Sequence, residues 1–98
     1  MQKSVKYAKM VHVVKRKGNL EKFDERKVYA SCYFAGLNCH INKLKSEKLC
    51  EKVTRDIKLW LRNKKKISSD DIFRQMIKIL NKYDEDVSFM YETHRDVN

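Results

Sequence analysis

A chain of 98 residues is one domain's worth of polypeptide, with room for one modest core and no second. Hydrophobic residues make up 42% of it, yet the apolar runs are far shorter than a bilayer span and the basic N-terminus lacks a signal peptide's apolar stretch, so a soluble cytoplasmic protein without a membrane partner is expected. Lys and Arg number 23 against 13 Asp and Glu, a formal charge of +10, which favours an anionic partner: a phosphate-bearing small molecule, a nucleic acid or an acidic protein surface.

Residues 1–10 are polar and lysine-rich and read as an N-terminal arm ahead of a single domain over residues 11–98. The β-branched run from Val11 to Val14 leads into Lys15 and Arg16, and a Lys17-Gly18 turn precedes Leu20 to Phe23, which predicts a β-hairpin with Gly18 supplying the positive φ. Asp24 is placed to cap a first helix, with Phe23 and Val28 at the spacing of a hydrophobic staple. Val28, Cys32 and Ala35 supply its apolar face, and Gly36 with Asn38 stands where a C-terminal cap is expected.

Residues 39–45 read as a loop, after which Ser46 is expected to cap a second helix with the stripe Leu49, Val53, Ile57, Trp60 and Leu61. The basic run from Arg62 to Lys66 would close that helix at its negative dipole end. Ser68-Ser69-Asp70-Asp71 has the hydroxyl and carboxylates of a helix start, and Ile72, Met76, Ile79, Leu80 and Tyr83 form the buried face of a third helix. A break over residues 83–86 leads to a last helix with Val87, Met90, Tyr91, His94 and Val97 toward the core. The expected fold is α+β, mostly α: an N-terminal β-hairpin or small sheet capping a four-helix bundle.

Cys32, Cys39 and Cys50 are odd in number and lack C-x-x-C spacing, so they are read as reduced core or boundary residues. His12, His40 and His94 are scattered over three segments without ligand spacing, and no nucleophile, base and orienting residue stand together, so neither a metal site nor an enzyme is expected. Lys15 and Arg16 near the hairpin turn and Lys27 in the first turn of the next helix can converge on one anion. A triphosphate suits such a trio, because Arg forks across two oxygens while Lys acts as a mobile point charge.

The stretch from Val13 to Val28, VVKRKGNLEKFDERKV, resembles the opening of the ATP-cone family, whose pattern is V-x-K-R-x-G-x-x-E-x-F-D-x-x-K-hydrophobic, with no gap needed. Ile67-Ser68-Ser69-Asp70-Asp71-Ile72 is similar to the I-[ST]-[ST]-x-x-I start of that family's third helix, and Tyr83-Asp84-Glu85 followed by the stretch through His94-Arg95-Asp96 is similar to its final helix. Lys17 departs from the Asp or Asn common in the turn, and Met90 and His94 depart from the last helix's usual residues.

The resemblance implies a non-catalytic regulatory module that binds ATP or dATP, with Mg2+ accompanying the nucleotide. Carried over by position, Lys15, Arg16 and Lys27 would meet the phosphates, Val13, Phe23 and Val28 would surround the base, and Glu21 and Asp24 would accept hydrogen bonds near the adenine amino group. Ser69 would lie near the phosphates, with Ser68 as its equivalent if the helix starts one residue earlier. Each has a plainer role beside it: Phe23 and Val28 as a staple, Asp24 and the serines as caps, Glu21 paired with Lys22 across the hairpin. The family stands at the front of ribonucleotide reductase large subunits and in the repressor of their genes. Without that repressor's zinc ribbon or a reductase's barrel, the resemblance implies a stand-alone cone acting on a reductase or another regulated protein, with self-association. The alternative is a small basic nucleic-acid-binding protein using Lys64 to Lys66 and the N-terminal lysines, although no recognition motif accompanies them. A third reading, a degenerate cone serving as a protein adaptor, sits poorly with the presence of Lys15, Arg16, Glu21 and Lys27.

Overall fold

The computed structural model describes residues 11–94. The arm expected over residues 1–10, Val97 and the Arg95-Asp96 end of the last motif lie outside them. Strand β1 (His12–Val14) pairs antiparallel with β2 (Leu20–Lys22), matching His12 to Lys22, Val13 to Glu21 and Val14 to Leu20. The hairpin turns through three residues. Gly18 N–H donates to the Lys15 carbonyl at 2.8 Å, and Lys15 N–H donates to the Asn19 carbonyl at 2.9 Å. Gly18 takes the positive φ, 93°, so Lys17 needs no left-handed conformation and the Asn or Asp usual in a tight turn is dispensable there.

Helix α1 (Glu25–Asn38) starts as expected: the Asp24 carboxylate accepts the Arg26 N–H at 3.0 Å, and Phe23 and Val28 are both buried beside the start. Its end corrects the sequence reading. Gly36 lies inside the last turn, buried against the next helix, where a Cβ would meet Ser46 Oγ at 2.7 Å. His40, at φ 63°, takes the left-handed position beyond the Cys39 cap.

Helix α2 (Lys43–Trp60) begins four residues earlier than expected, capped by Asn42, whose side-chain oxygen accepts the Lys45 N–H at 2.8 Å. Ser46, expected as the cap, is fully buried inside the helix. Leu44 is exposed, so the first turn adds nothing to the apolar stripe and had no periodic signal. The basic run does not extend the helix. Lys64 alone bends back, donating to the Trp60 carbonyl at 3.2 Å with its ammonium 4.6 Å from the Trp60 ring centre, while Lys66 enters a third strand.

That strand, β3 (Lys66–Ser68), is absent from the sequence reading because three residues are too few to show alternation. It pairs parallel to β1, matching Val13 to Ile67 and Val14 to Ser68, and completes a sheet ordered β2-β1-β3. Helix α3 (Ser69–Tyr83) follows at once, with Ser68 Oγ accepting the Asp71 N–H at 3.0 Å. Asp84, with extended backbone, ends α3 and caps α4 (Glu85–Thr93), its carboxylate accepting the Asp86 and Val87 N–H groups. Tyr83, expected on the buried face, is exposed, and its hydroxyl donates to the Asp56 carboxylate.

The helices form a closed ring in which α1 packs on α2, α2 on α3, α3 on α4 and α4 on α1. Ile57, Leu61, Met76 and Leu80 are fully enclosed at its centre, each burial being worth roughly 1.5–3 kcal/mol. Val11, Val13 and Phe23 extend this core onto the sheet, while His12 between the first two is exposed. The fold is the expected α+β one, mostly helical, with the sheet set against the helices.

Candidate functional site

Between the inner face of the sheet and the first turns of two helices lies a hollow of about 530 Å³. Strand alternation builds its upper wall. Val13 and Glu21 are cross-strand partners, Phe23 follows two residues beyond Glu21, and Lys15 follows two beyond Val13, so all four stand on one face. Helical periodicity builds the facing wall, with Asp24, Lys27, Val28 and Ser31 on successive turns of α1 and Ser69, Ile72 and Phe73 in the first turns of α3.

All nine residues singled out from the sequence, Val13, Lys15, Arg16, Glu21, Phe23, Asp24, Lys27, Val28 and Ser69, line this one hollow. Ser68, weighed as the equivalent of Ser69, is instead occupied as the cap of α3. Sequence reasoning missed Ser31, Ile72, Phe73 and Tyr91, besides Lys17, Asn19 and Lys22 of the hairpin. Ser31 lies one turn beyond Lys27 and Phe73 one turn beyond Ser69, so the helical period could have found both. Tyr91 had no such signal; it arrives by the packing of α4 and stacks on Phe73 with ring centres 5.5 Å apart and planes 25° from parallel.

The hollow's lining combines two chemically distinct sets of side chains. Val13, Phe23, Val28, Ile72, Phe73 and Tyr91 make up an apolar set, half of it aromatic, while Lys15, Arg16, Lys17 and Lys27 make up a basic one. With Lys22 also on the rim, five cations face the two carboxylates of Glu21 and Asp24. Lys27 donates to Glu21 at 3.4 Å, which replaces the expected Glu21–Lys22 pair across the hairpin. Arg16 stands 3.6 Å from Asp70. These pairs are well exposed, and such pairs contribute only about 0–1 kcal/mol each.

Asp24 is held ionised. Hydrogen bonds from the Arg26 side chain, and then from the Arg26 backbone N–H, keep its carboxyl below the ordinary carboxylate range. Glu21 is less committed: among the described residues only Oε1 is engaged, by Lys27. The first turns of α1 and α3 both border the hollow, bringing the positive ends of two helix dipoles to it. A ligand with a planar apolar part and a polyanionic part matches this mixed lining.

The remaining candidate groups are placed elsewhere. Cys32 and Cys50 are buried, and the neighbouring Cys50 sulfur together with burial pushes the Cys32 thiol up; Cys39 is half-buried and donates to the Asp86 carbonyl at 3.3 Å. His94 Nδ1 donates to the Met90 carbonyl at 2.9 Å. No helix of the described residues is long and apolar enough to cross a membrane.

The family model of the ATP cone domain matches residues 11–96, nearly the whole chain. No curated protein matches the chain.

Proposed function

The chain belongs to the ATP cone domain family, a nucleotide-binding regulatory one, and from that premise we propose that the hollow between sheet and helices holds ATP or dATP and reports which is present to a regulated protein. The observation that carries this is the convergence on one hollow of nine residues spread from Val13 to Ser69, cations and apolar groups among them.

In this reading Arg16 forks across two phosphate oxygens, while Lys15 and Lys27 neutralise the remaining charge. Lys27 exchanges its Glu21 carboxylate for phosphate as the ligand enters. Ser69, at the positive end of the α3 dipole, donates to the same anion. Val13, Phe23 and Val28 flank the base, and Glu21, released from Lys27, accepts from the adenine amino group. Asp24, already bound to Arg26, serves mainly to hold the start of α1 and with it Lys27. Mg2+ enters with the nucleotide, on its phosphates.

A regulatory output requires that the two nucleotides stabilise different states of association, since a ligand bound equally by both states shifts nothing. The regulated protein is a ribonucleotide reductase or another enzyme of deoxynucleotide supply, and the output is a change in self-association or docking. Thermal unfolding of the full chain with ATP, dATP and Mg2+ tests the reading. A ligand at 100 times its Kd stabilises by about 2.7 kcal/mol, which raises the melting temperature of a domain this size by roughly 10 °C or more. Arg16→Ala and Lys27→Ala should remove most of the rise. No rise in the wild type with any of these ligands refutes it.

A further inference from the structure

Helix α2 contributes no side chain to the hollow, yet it carries the most regular charge pattern in the molecule. Its buried residues Leu49, Cys50, Val53 and Ile57 face the core. On the opposite side Lys45, Lys48, Lys52, Arg55 and Leu59 follow at alternating steps of three and four, and Arg62 continues the row in the turn beyond; all six are exposed. At 3.6 residues per turn these positions fall within a band about 100° wide, and the row from Lys45 to Leu59 runs about 21 Å along the axis. No acidic residue falls inside the band. Glu51 borders it on one side and Asp56, 3.5 Å from Arg55 and bonded to Tyr83, on the other.

This is not how a solvated helix face is ordinarily composed. Alternating signs at i and i+4 support a helix, whereas Lys45–Lys48, Lys48–Lys52 and Lys52–Arg55 set like charges on neighbouring turns and oppose it. The repulsion is relieved when an extended polyanion lies along the row. Arg55, Leu59 and Arg62 also line a second hollow, of about 330 Å³, between α1 and α2, where Glu25 and Glu51 stand beside them, so the far half of the row borders a concave surface of mixed charge.

We propose that the exposed face of α2 binds the phosphodiester backbone of a nucleic acid, independently of its sequence, at a site separate from the nucleotide hollow. A row of single cations along one helix face suits a repeating phosphate backbone, and sequence readout would need side chains directed at base edges. Of the lysines the sequence offered for this role, Lys64 is folded back over Trp60 and Lys66 lies in β3, so neither joins the row, and the N-terminal ones lie outside the described residues.

Anisotropy of a fluorescein-labelled 20-mer, duplex and single-stranded, titrated with the full chain across a salt series tests this. Five contacts predict a slope of log K against log salt of about −4.5 on duplex and about −3.5 on single strand. Lys48→Ala/Lys52→Ala/Arg62→Ala should bring the duplex slope to about −2, while the equal-charge control Lys43→Ala/Arg74→Ala/Lys78→Ala should leave it unchanged. Because every substitution is at an exposed position, and all but that at Arg62 put the best helix former into a helix, both variants should fold, which circular dichroism verifies. Equal losses in the two triple variants would reduce the effect to bulk charge and overturn the proposal. Polyglutamate binding as tightly as DNA would assign the face to an acidic polypeptide instead, and displacement of DNA by ATP would put the DNA in the hollow; either result overturns it too. Failure here leaves the nucleotide reading untouched, since no residue of the row lines that hollow.

Discussion

Replacing Gly36 by Ala would ordinarily stabilise a helix by about 1 kcal/mol, because glycine is the poorest helix former after proline. At this position the added Cβ meets Ser46 Oγ at 2.7 Å, with Ile41 Cδ1 at 3.3 Å and Ser46 Cβ at 3.4 Å. Ser46 is fully buried on α2, so its hydroxyl has little room to swing clear, and overpacking of this kind costs roughly 1–3 kcal/mol. Gly36→Ala alone should therefore destabilise by about 1 kcal/mol net, lowering the melting temperature by roughly 4–8 °C. Ser46→Ala removes an oxygen that has no hydrogen-bond partner among the described residues, so by itself it should be neutral or mildly stabilising. In that background only the 3.3 and 3.4 Å contacts remain, and Gly36→Ala should recover most of its helix gain. Urea unfolding of the four proteins, followed by circular dichroism, should give a coupling energy of about 1–3 kcal/mol. Additive effects, or a single Gly36→Ala variant more stable than wild type, would refute the close approach of α1 to α2 on which this rests.

Glu21→Gln should reduce the preference for ATP over GTP by about tenfold or more, because an ionised acceptor facing the adenine amino group is worth roughly 1.5–3 kcal/mol; competition titrations with the two nucleotides measure it. Ser68→Ala should cost about 0.5–2 kcal/mol of stability in urea by removing the cap of α3, with Ser68→Asp close to wild type. The Asp24 carboxyl is held below its ordinary value of 3.8, so its contribution to stability is complete above that value and is lost as pH falls through the lower folded one. The stability gap between wild type and Asp24→Asn should accordingly be constant from neutral pH down to about pH 5 and shrink below pH 4, as urea titrations across that range would show.

Local chemistry was legible in the sequence where one residue decides the conformation. Gly18 turns the hairpin, Asp24 starts α1 and Ser68 starts α3, each where expected. The core of α2 was equally legible, since Leu49, Val53 and Ile57 repeat over several turns and all three are buried. Features decided by contact between distant segments were not. Gly36 looks like a helix end until Ser46 is seen against it, and Asn42 caps a first turn whose Leu44 faces outward and breaks the stripe. β3 is defined by its pairing with β1 and by nothing within its own three residues. The hollow divides the same way: Lys15, Arg16, Glu21 and Lys27 lie within one short stretch of motif, whereas the Phe73–Tyr91 pair joins two helices that only the folded chain brings together.

Isothermal titration of the full chain with ATP and with dATP, in the presence of Mg2+, tests most directly whether cations from the hairpin and α1 act on one ligand. Saturable binding of both nucleotides is predicted, with unequal affinities and with a loss of about tenfold or more on substituting Ala for Arg16 or Lys27, each of which gives up a charge-assisted hydrogen bond. Binding that survives both substitutions undiminished, or no heat of binding at millimolar nucleotide, would contradict the account.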